Sequence, residues 1–537
     1  MFKFNPYAYP YPSQRNLVYA QNGMVATSQP LAAQAGLDML KKGGNAIDAA
    51  IATAACLTVV EPTSNGIGGD AFALVYKDKQ LYGLNASGRS PKNLSMKVLR
   101  DKGFTGIPRF GFEAVTVPGC VSGWVALSKA HGKLPFKTLL EPAITYAREG
   151  FPLTPTLANA WQNAFKFYER HLTDPQYQPW FDTFAPNQRA PKVGELWKSS
   201  AHANTLRQIA ETEGDAFYRG EIAKKIIAFT KQYGGYMSES DLKEHTVEWV
   251  QPISINYRGY DVWELPPNGQ GLIALDALNT LTHFTFKQTQ DTVSYHTKIE
   301  ALKIAFQTGL QIIADREAMT TNIKEILHPL KSQKNASKIN EFAQTYGDES
   351  PAKHGTVYLA TADKDGNMVS FIQSNYMGFG SGLVVPNTGI ALQNRGHNFR
   401  FDDSHPNRLE PNKRPYHTII PGFLTKDSEA LAAFGVMGGM MQPQGHLQVI
   451  SNMIDHQLNP QAALDAPRWQ WIEKNTIHVE SHFSRSIQNA LTKRGHSIVV
   501  SKNVGSFGRG QIIVRNKENG TLIGATDMRT DGSIASW

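Results

Sequence analysis

Apolar residues in much of the chain recur at three- and four-residue spacing, which is the periodicity of amphipathic helices. Residues 28–62 predict two such helices, joined at Gly43 and Gly44 and rich in alanine, so we expect them to pack closely together. Further helices are predicted over residues 140–151, 206–235, 296–317, 445–458 and 460–467.

Runs of alternating apolar and polar residues, typical of strands, lie between these helices. They predict a hairpin over residues 65–91 and a single strand before a Pro/Gly loop over 255–271. A second hairpin is predicted over residues 356–375, with its turn at residues 363–367. Other strands are predicted over 389–394, 430–439 and 510–527. This order of elements predicts an α+β fold of layered helices and antiparallel sheets.

Composition narrows the functional classes. The 537 residues carry a formal charge of +8, from 54 basic and 46 acidic side chains, without a run of five lysines or arginines. A nucleic-acid partner is therefore not predicted. The two cysteines, Cys56 and Cys120, lie in apolar or Gly-Pro surroundings and predict buried thiols rather than a disulfide framework or a zinc site.

The sequence shows little sign of a segment that would target the chain to a membrane. The amino terminus lacks a basic start followed by an apolar run, so it does not resemble a signal peptide. The longest apolar run, over residues 46–60, contains Asp48 and is too short to cross a bilayer. We therefore expect no membrane association and a cytoplasmic rather than periplasmic location.

Thr356 is the residue with the most specific chemical potential. It follows His354 and Gly355 and precedes a predicted strand, and strand propensity alone is a sufficient reason for a threonine there. The second interpretation is that the chain is cut between Gly355 and Thr356. The freed α-amine would then act as the base for the adjacent hydroxyl, which becomes a nucleophile. Gly355 would ease this cut because no side chain shields its carbonyl.

Three other segments carry groups that such a nucleophile would use. Ser374 ends the second strand of the predicted hairpin, so antiparallel pairing brings it back to Thr356. Gly438 and Gly439 follow an apolar strand and precede a helical run, where two backbone N–H groups can point at one oxyanion. Each segment alone also fits a plain strand end or turn. The third segment is a stiff basic loop, "EPNKRPYHTIIP", which fits either a part of the site or a solvated loop without a role.

Together these segments resemble the γ-glutamyltransferase (glutathione hydrolase) family of N-terminal-nucleophile hydrolases. The resemblance covers residues from about 23 to the carboxyl terminus, in family order. Its motifs are "GGNAIDAAIATAACLTVVEPTSNGIGGDAFALVY", "VPGCVSGW", "YRGYDVWELPPNGQG", "HGTVYLATADKDGNMVSF", "GFGSG", "GIALQN", "PNKRP", "GVMGG", "DAPRWQW" and "GATDMR".

The resemblance implies a four-layer αββα sandwich made from one self-cleaving precursor. The large subunit would be residues 1–355 and the small subunit residues 356–537, and the two would stay associated as a heterodimer in one globular unit. Thr356 would form an acyl-enzyme with glutathione or another small-molecule acyl amide and pass the acyl group to water or an amino acid. Ser374 would support the nucleophile, and Gly438 and Gly439 would form the oxyanion hole. No metal or organic cofactor is expected.

The substrate pocket departs from the family pattern. The family holds the substrate α-carboxylate with an arginine, but the aligned residue here is Ser87, with Arg89 two residues on. Paired serines of the family are replaced by His417 and Thr418. The resemblance also places Tyr376 among the substrate-binding residues.

A second departure concerns the substrate α-ammonium. The family binds it with an aspartate, whereas this chain has Arg395 and Asn398 in that stretch. An unpaired ammonium beside a guanidinium is costly to desolvate, while a carboxylate is bound well by arginine. We therefore hypothesise a preference for glutaryl-like or cephalosporin-type acyl groups over γ-glutamyl, unless Asp402 and Asp403 fold inward to pair with the ammonium.

Two classes of function stay open from the sequence. The first is a self-processing threonine amidohydrolase, either a glutathione hydrolase and γ-glutamyltransferase or an acylase on other amides. The second is an uncleaved, inactive relative with a binding role. The presence of a second chain that starts at Thr356 distinguishes them.

Overall fold

The computed structural model describes residue 5 and residues 15–286, 291–346 and 355–537. Residues 1–4 and 6–14, on which the predicted location depends, and residues 347–354, just before the predicted cut, lie outside this range. The helices are α1 (Pro30–Lys41), α2 (Ala46–Val60), α3 (Met96–Asp101), α4 (Cys120–His131), α5 (Phe136–Glu149), α6 (Pro155–His171), α7 (Gln178–Phe184), α8 (Ser200–Glu211), α9 (Asp215–Tyr218), α10 (Glu221–Gln232), α11 (Glu239–Lys243), α12 (Gly271–Leu281), α13 (Thr292–Ile312), α14 (Ile323–Ile326), α15 (Pro329–Ala336), α16 (Met441–Ile454), α17 (Pro460–Asp465) and α18 (Arg485–Lys493).

The strands are short and almost all antiparallel. They are β1 (Val18–Ala20), β2 (Gly23–Thr27), β3 (Asp70–Lys77), β4 (Gln80–Ala86), β5 (Phe151–Pro152), β6 (Leu196–Trp197), β7 (Glu248–Val250), β8 (Ile253–Tyr257), β9 (Tyr260–Glu264), β10 (Val357–Asp363), β11 (Met368–Ser374), β12 (Gly422–Lys426), β13 (Glu429–Met437), β14 (Trp469–Glu473), β15 (Thr476–Glu480), β16 (Ser497–Ser501), β17 (Arg509–Arg515), β18 (Leu522–Thr526) and β19 (Ser533–Ser536).

Two seven-stranded sheets form the centre of the molecule. Sheet I has the order β1-β18-β17-β13-β12-β9-β8, and sheet II has the order β19-β2-β10-β11-β3-β4-β7. The two sheets face each other where β10 and β11 contact β13. Helices α1, α2 and α4 cover the outer face of sheet II, and α12 and α16 cover the outer face of sheet I. This is the predicted four-layer αββα sandwich.

Local sequence explains the paired helices α1 and α2. Asn45 caps α2 in a reciprocal capping box with Asp48, which satisfies backbone N–H groups at the helix start. Gly36 lies so close to α2 that a Cβ atom there would meet the Thr53 Oγ1 atom at 2.2 Å. The prediction of two closely packed helices is therefore confirmed.

Most of the predicted strands are present, with two differences. The segment over residues 255–271 holds a hairpin, β8–β9, because Arg258 and Gly259 adopt positive φ values of 53° and 87° and reverse the chain. The prediction of a strand over residues 389–394 is wrong. Ala391 and Leu392 pair with different segments, at Val384 and Gly68, so only isolated bridges form. No described helix is both long enough and apolar enough to cross a membrane.

Candidate active site

The hairpin of β10 and β11 brings Thr356 and Ser374 together. Val357 pairs with Gln373, so the preceding and following residues lie opposite each other at the end of the ladder. The Thr356 hydroxyl donates to Ser374 Oγ at 3.2 Å, and both residues are buried. The placement of Ser374 beside the candidate nucleophile, predicted from the turn, is confirmed.

Side-chain alternation along β10 directs Thr356 towards the space between the sheets. Thr361 points outward, where its hydroxyl donates to the Ala46 carbonyl of α2 at 2.7 Å. Tyr358 points inward, and a Cβ atom on Gly435 of sheet I would lie only 2.4 Å from its ring. Because strand side chains alternate, Thr356 shares the inward face with Tyr358.

The Gly355 carbonyl lies directly in front of the candidate nucleophile. Its oxygen accepts hydrogen bonds from Thr356 Oγ1 at 2.6 Å and from Ser374 Oγ at 2.9 Å. The Ser374 oxygen in turn accepts the Tyr376 backbone N–H at 2.8 Å. Two hydroxyls therefore polarise the carbonyl of the bond that the sequence predicts to be cut, and the peptide is held against the atom that would attack it.

Gly438 and Gly439 follow β13 and precede α16. Both have positive φ, 141° and 61°, and they turn the chain into the helix. Within the described residues, neither glycine N–H has a hydrogen-bond acceptor, and the α16 amino terminus lacks a side-chain cap. Free N–H groups at a helix amino terminus favour negative charge. The turn can therefore receive an oxyanion, and the oxyanion role of the two glycines stays a prediction.

Arg395 is fully buried with part of its donor set unused. Its Nη1 atom donates to Thr418 Oγ1 at 2.7 Å, and its guanidinium lies 4.3 Å from the centre of the Tyr376 ring. The Tyr376 hydroxyl donates to Asn398, so these predicted residues form one cluster. Among the described residues, the Nε and Nη2 atoms of Arg395 have no acceptor. Burial lowers the Arg395 pKa to about 10, which leaves the group charged at neutral pH.

His417 reaches the same cluster through Asp70. Its Nδ1 atom accepts the Ile419 N–H at 3.3 Å, so Nε2 carries the proton that it donates to Asp70 Oδ2 at 3.0 Å. Burial, with the nearby Arg395 charge, lowers the pKa of His417 well below its ordinary value. Burial raises the Asp70 pKa to about 6, although Arg395 and several hydrogen bonds oppose that rise.

The prediction from sequence missed Asp70 and Gln270 as parts of the site. Gln270 Nε2 donates to the Thr418 carbonyl at 2.6 Å and to the Gly439 carbonyl at 2.9 Å, so it joins the cluster around Arg395 to the Gly438–Gly439 turn. Gln270 lies in the "PPNGQG" loop and Asp70 in "NGIGGD", both of which carry the family resemblance. Their presence in those motifs was the available signal.

The Ser87 and Arg89 side chains are bound by other parts of the chain. The Ser87 hydroxyl donates to Asn85 at 2.7 Å. Arg89 pairs with Asp315 at 2.6 Å and with Glu248 at 3.4 Å, so two carboxylates already occupy it. Their substrate-binding roles stay predictions. Of Arg89 and Arg395, it is Arg395 that has donors without an acceptor among the described residues.

Asp402 and Asp403, considered above as ammonium ligands, are bound to other groups. Asp402 accepts hydrogen bonds from Ser404, and Asp403 pairs with Arg100 at 2.8 Å. Both aspartates are exposed. The inward fold that would let them rescue α-ammonium binding is absent from this arrangement.

Among the described residues, one group of three side chains could in principle bind a metal ion. It consists of His296, Glu300 and His496. The imidazoles hydrogen-bond to each other at 2.8 Å, and the Lys303 ammonium lies 2.7 Å from the Glu300 carboxylate. A cation already neutralises that carboxylate, so the cluster serves to join α13 to the carboxyl-terminal part of the chain.

Comparison with known proteins shows the family of this chain. The family model described as Gamma-glutamyltranspeptidase matches residues 32–537. The chain is 37% identical over 520 residues to the glutathione hydrolase-like YwrD proenzyme of Bacillus subtilis (strain 168), covering 95% of this chain and 97% of that protein. It is 30% identical over 532 residues to the acylase ACY 1 proenzyme of Pseudomonas sp. (strain SE83), covering 95% of this chain and 93% of that protein.

A solved structure is similar over the whole molecule. The cephalosporin acylase from Bacillus halodurans shares 57% sequence identity with this chain and superposes with a TM-score of 0.97, covering 100% of this chain and 99% of that one. The family match spans the β10–β11 hairpin, the Gly438–Gly439 turn and Arg395. The chain therefore belongs to the gamma-glutamyltranspeptidase family of N-terminal-nucleophile hydrolases.

Proposed function

We propose that the protein cuts its own chain between Gly355 and Thr356 and then hydrolyses amides whose acyl group ends in a free carboxylate, as a glutaryl group does. Thr356 is the nucleophile, and the acyl-enzyme is an ester on its hydroxyl. Water releases the acid, and an amine in place of water gives acyl transfer.

The buried guanidinium of Arg395 is the observation that carries this proposal. Its Nε and Nη2 atoms present two parallel donors with no acceptor among the described residues. An unsatisfied buried charged group is costly, and a carboxylate matches two donors of arginine at once. A bound carboxylate therefore satisfies the donors that the protein leaves unpaired.

The same pocket is unfavourable for a γ-glutamyl group, which adds an α-ammonium beside the carboxylate. Asp70 is the acid whose charge acts on Arg395, and its oxygens already accept hydrogen bonds from Gly88, Gly119, Gln393 and His417. His417 is neutral. A substrate ammonium bound here would lie beside the Arg395 guanidinium and would have no further carboxylate to pair with.

The mechanism follows from the positions of these groups. The Thr356 hydroxyl attacks the acyl carbon while the α-amine takes its proton. The N–H groups of Gly438 and Gly439 stabilise the oxyanion at the start of α16. The α-amine then returns the proton to the leaving nitrogen, and a water molecule repeats the sequence to open the ester. Every step uses groups of this chain.

The relatives support both an acylase and a glutathione hydrolase. The similar structure from Bacillus halodurans is a cephalosporin acylase, whereas the YwrD relative is glutathione hydrolase-like. Glutathione hydrolysis with γ-glutamyl transfer is accordingly the second candidate function.

Hydrolysis of two matched anilides decides between the candidates. Processed enzyme is given glutaryl-p-nitroanilide and γ-glutamyl-p-nitroanilide, which differ only in the α-ammonium. We expect kcat/KM to favour the glutaryl compound by about 10-fold or more, the cost of leaving one charged group unpaired. A clear preference for the γ-glutamyl compound selects the second candidate.

Self-cleavage is tested separately, by the number and start of the chains in purified protein. A denaturing gel of purified protein is expected to show two chains, and mass spectrometry to place the start of the smaller one at Thr356. An intact chain without amidase activity would instead support the binding role.

A further inference from the structure

Gln270 is a fully buried glutamine whose side-chain amide is occupied on every side. Its Nε2 atom donates to the Thr418 carbonyl at 2.6 Å and to the Gly439 carbonyl at 2.9 Å. Its Oε1 atom accepts the Tyr416 hydroxyl at 2.7 Å. Both N–H donors of the amide are thereby used. Gln270 therefore acts on a substrate through the groups that it holds, rather than by direct contact.

The groups that Gln270 holds belong to the two ends of the proposed acyl site. Thr418 Oγ1 accepts the Arg395 Nη1 donor at 2.7 Å, and Gly439 is part of the candidate oxyanion turn. Three hydrogen bonds thus connect Arg395 to Gly439, through Thr418 and Gln270, and all four residues are buried. Because protein interiors are close-packed, such a chain fixes the position of one end relative to the other.

Gln270 is itself fastened to both ends. It directly precedes α12, and its backbone N–H donates to the His417 carbonyl at 3.0 Å. A Cβ atom on Gly271, the first residue of α12, would lie 2.7 Å from Glu264 Cβ. Glu264 Oε1 in turn lies 2.6 Å from Nδ1 of His446 in α16, the helix that follows the glycine turn. The start of α12 therefore cannot follow the movement of one end alone.

A fixed spacing between the two ends selects the length of the acyl chain. In the proposed reaction the free carboxylate binds Arg395, while the carbonyl oxygen turns to Gly438 and Gly439. A succinyl group has two methylene groups between these ends, a glutaryl group three and an adipyl group four. The acyl carbon must also come within reach of Thr356 Oγ1, so a chain of the wrong length cannot satisfy all three positions at once.

We propose that Gln270 sets the spacing between Arg395 and the Gly438–Gly439 turn, and thereby makes the enzyme prefer acyl groups of glutaryl length over succinyl and adipyl groups. This assignment rests on the function proposed above. Gln270 is a positioning residue, because its amide is bound to Thr418, Gly439 and Tyr416. Its loss changes where the turn lies relative to the guanidinium, and leaves the donors of both in place.

Hydrolysis of three anilides that differ only in chain length tests this role. Two-chain protein of the wild type and of Gln270→Met is assayed with succinyl-, glutaryl- and adipyl-p-nitroanilide. Methionine is similar to glutamine in length but has no N–H to donate to the two carbonyls. Butyrate serves as a competitive inhibitor, since it carries the carboxylate for Arg395 without a carbonyl for the glycine turn.

Gln448→Met is the matched control. Gln448 is a buried glutamine of α16 that also holds two backbone groups, the Trp469 carbonyl at 2.9 Å and the Trp469 N–H at 3.2 Å. Those groups belong to β14. This variant therefore loses a comparable buried amide without releasing either end of the acyl site, so it measures the purely structural cost of the substitution.

We expect the wild-type kcat/KM for the glutaryl anilide to exceed the other two by at least about 10-fold, the discrimination that one methylene group typically gives. Gln270→Met should reduce this ratio to about 3-fold or less, through a lower kcat for the glutaryl anilide, because a misplaced turn slows the reaction. The inhibition constant of butyrate should stay within about 2-fold of the wild-type value. Gln448→Met should lower the free energy of unfolding and keep the wild-type ratio.

Tyr416→Phe gives a milder test that does not depend on the folding of Gln270→Met. It removes the hydroxyl that orients the Gln270 amide, so the ratio should fall in the same direction. A wild-type ratio in folded Gln270→Met or in Tyr416→Phe, or equal cleavage of the three anilides by the wild type, would overturn the role of Gln270 while leaving hydrolysis intact.

Failure of the proposed function gives a different result. If only γ-glutamyl-p-nitroanilide is cleaved, the proposed acyl preference is wrong. The ratio of γ-glutamyl- to β-aspartyl-p-nitroanilide, which differ by one methylene group, then decides the role of Gln270 in the same variants. Release of p-nitroaniline from none of these compounds refutes the nucleophile and the role of Gln270 together.

Discussion

The two ends of the β10–β11 hairpin both bury polar groups, but only one end leaves them unsatisfied. At the turn, the Asp363 carboxylate accepts four hydrogen bonds, from Ala46 N, Asp365 N, and both the backbone and side chain of Asn367. At the opposite end, two donor atoms of Arg395 and the N–H groups of Gly438 and Gly439 have no acceptor within the part of the chain that the structure describes. The saturated end fixes the fold, and the unsaturated end has capacity for a ligand.

A cavity also lies at the saturated end of the hairpin. An open groove of about 700 Å³ lies beside the turn and is lined by residues that include Lys77, Lys133, Asp365 and Arg515. Its walls belong to exposed strand ends and to the saturated turn. Buried donors without acceptors, rather than open volume, mark the reactive end of this hairpin.

Replacing Thr356 with alanine has the largest expected effect. Without the hydroxyl, neither self-cleavage nor acyl-enzyme formation can begin, so a gel should show one chain and anilide hydrolysis should vanish. Asp365→Ala, at the exposed turn, is the matched control and should give two chains. Amide hydrolysis by an uncut Thr356→Ala chain would break the contrast between the two ends.

Removing the free guanidinium should weaken substrate binding strongly. Arg395→Met is expected to lower kcat/KM for glutaryl-p-nitroanilide by about 10- to 150-fold, the value of a hydrogen-bonded charge, while two chains still form. Arg89→Met is the comparison, since its guanidinium is already paired, and a smaller loss is expected. If Arg89→Met causes the greater loss, the carboxylate binds at the other arginine.

A methyl group on Gly355 should slow self-cleavage. Gly355→Ala forces its Cβ atom against Ser64 and Gly378, which we expect to reduce the rate of chain cutting roughly 10-fold. In Gly106→Ala the new Cβ atom has no neighbour within 4 Å, so that variant should cut at the normal rate. A time course on denaturing gels compares the two variants. Equal rates of chain cutting would show that the space around Gly355 is wider than these contacts indicate.

The smallest effect on chemistry is expected at the turn. Asp363→Asn keeps one acceptor oxygen and leaves two N–H donors facing an amide group, which costs about 1–3 kcal/mol of unfolding free energy. Thermal or denaturant unfolding should show this loss, with kcat/KM of the processed enzyme unchanged. A variant of full stability and low activity would reverse the roles assigned to the two ends.

Local pattern was sufficient for much of the fold. The hairpin, the paired helices and the strand before Gly438 follow from side-chain periodicity and turn residues within a few positions of each other. The turn of Asp363 and Asp365 likewise needed no long-range contact. The turn at Arg258 and Gly259 that forms β9 is also local, but the sequence analysis missed it. By contrast, the bridge between Leu392 and Gly68 joins segments far apart along the chain, so local propensity gave the wrong element there.

The candidate site divides in the same way. The sequence by itself determined the hydroxyl of Thr356, its neighbour Ser374 and the glycine pair, because short spacing and family motifs fix those positions. Only the tertiary structure decided which arginine is available, since Arg89 and Arg395 are chemically identical and differ solely in their partners. Asp315 and Glu248 saturate one guanidinium, and burial beside Tyr376 leaves the other with donors to spare. Hydrogen-bond saturation is a property of three-dimensional neighbours, and no local pattern encodes it.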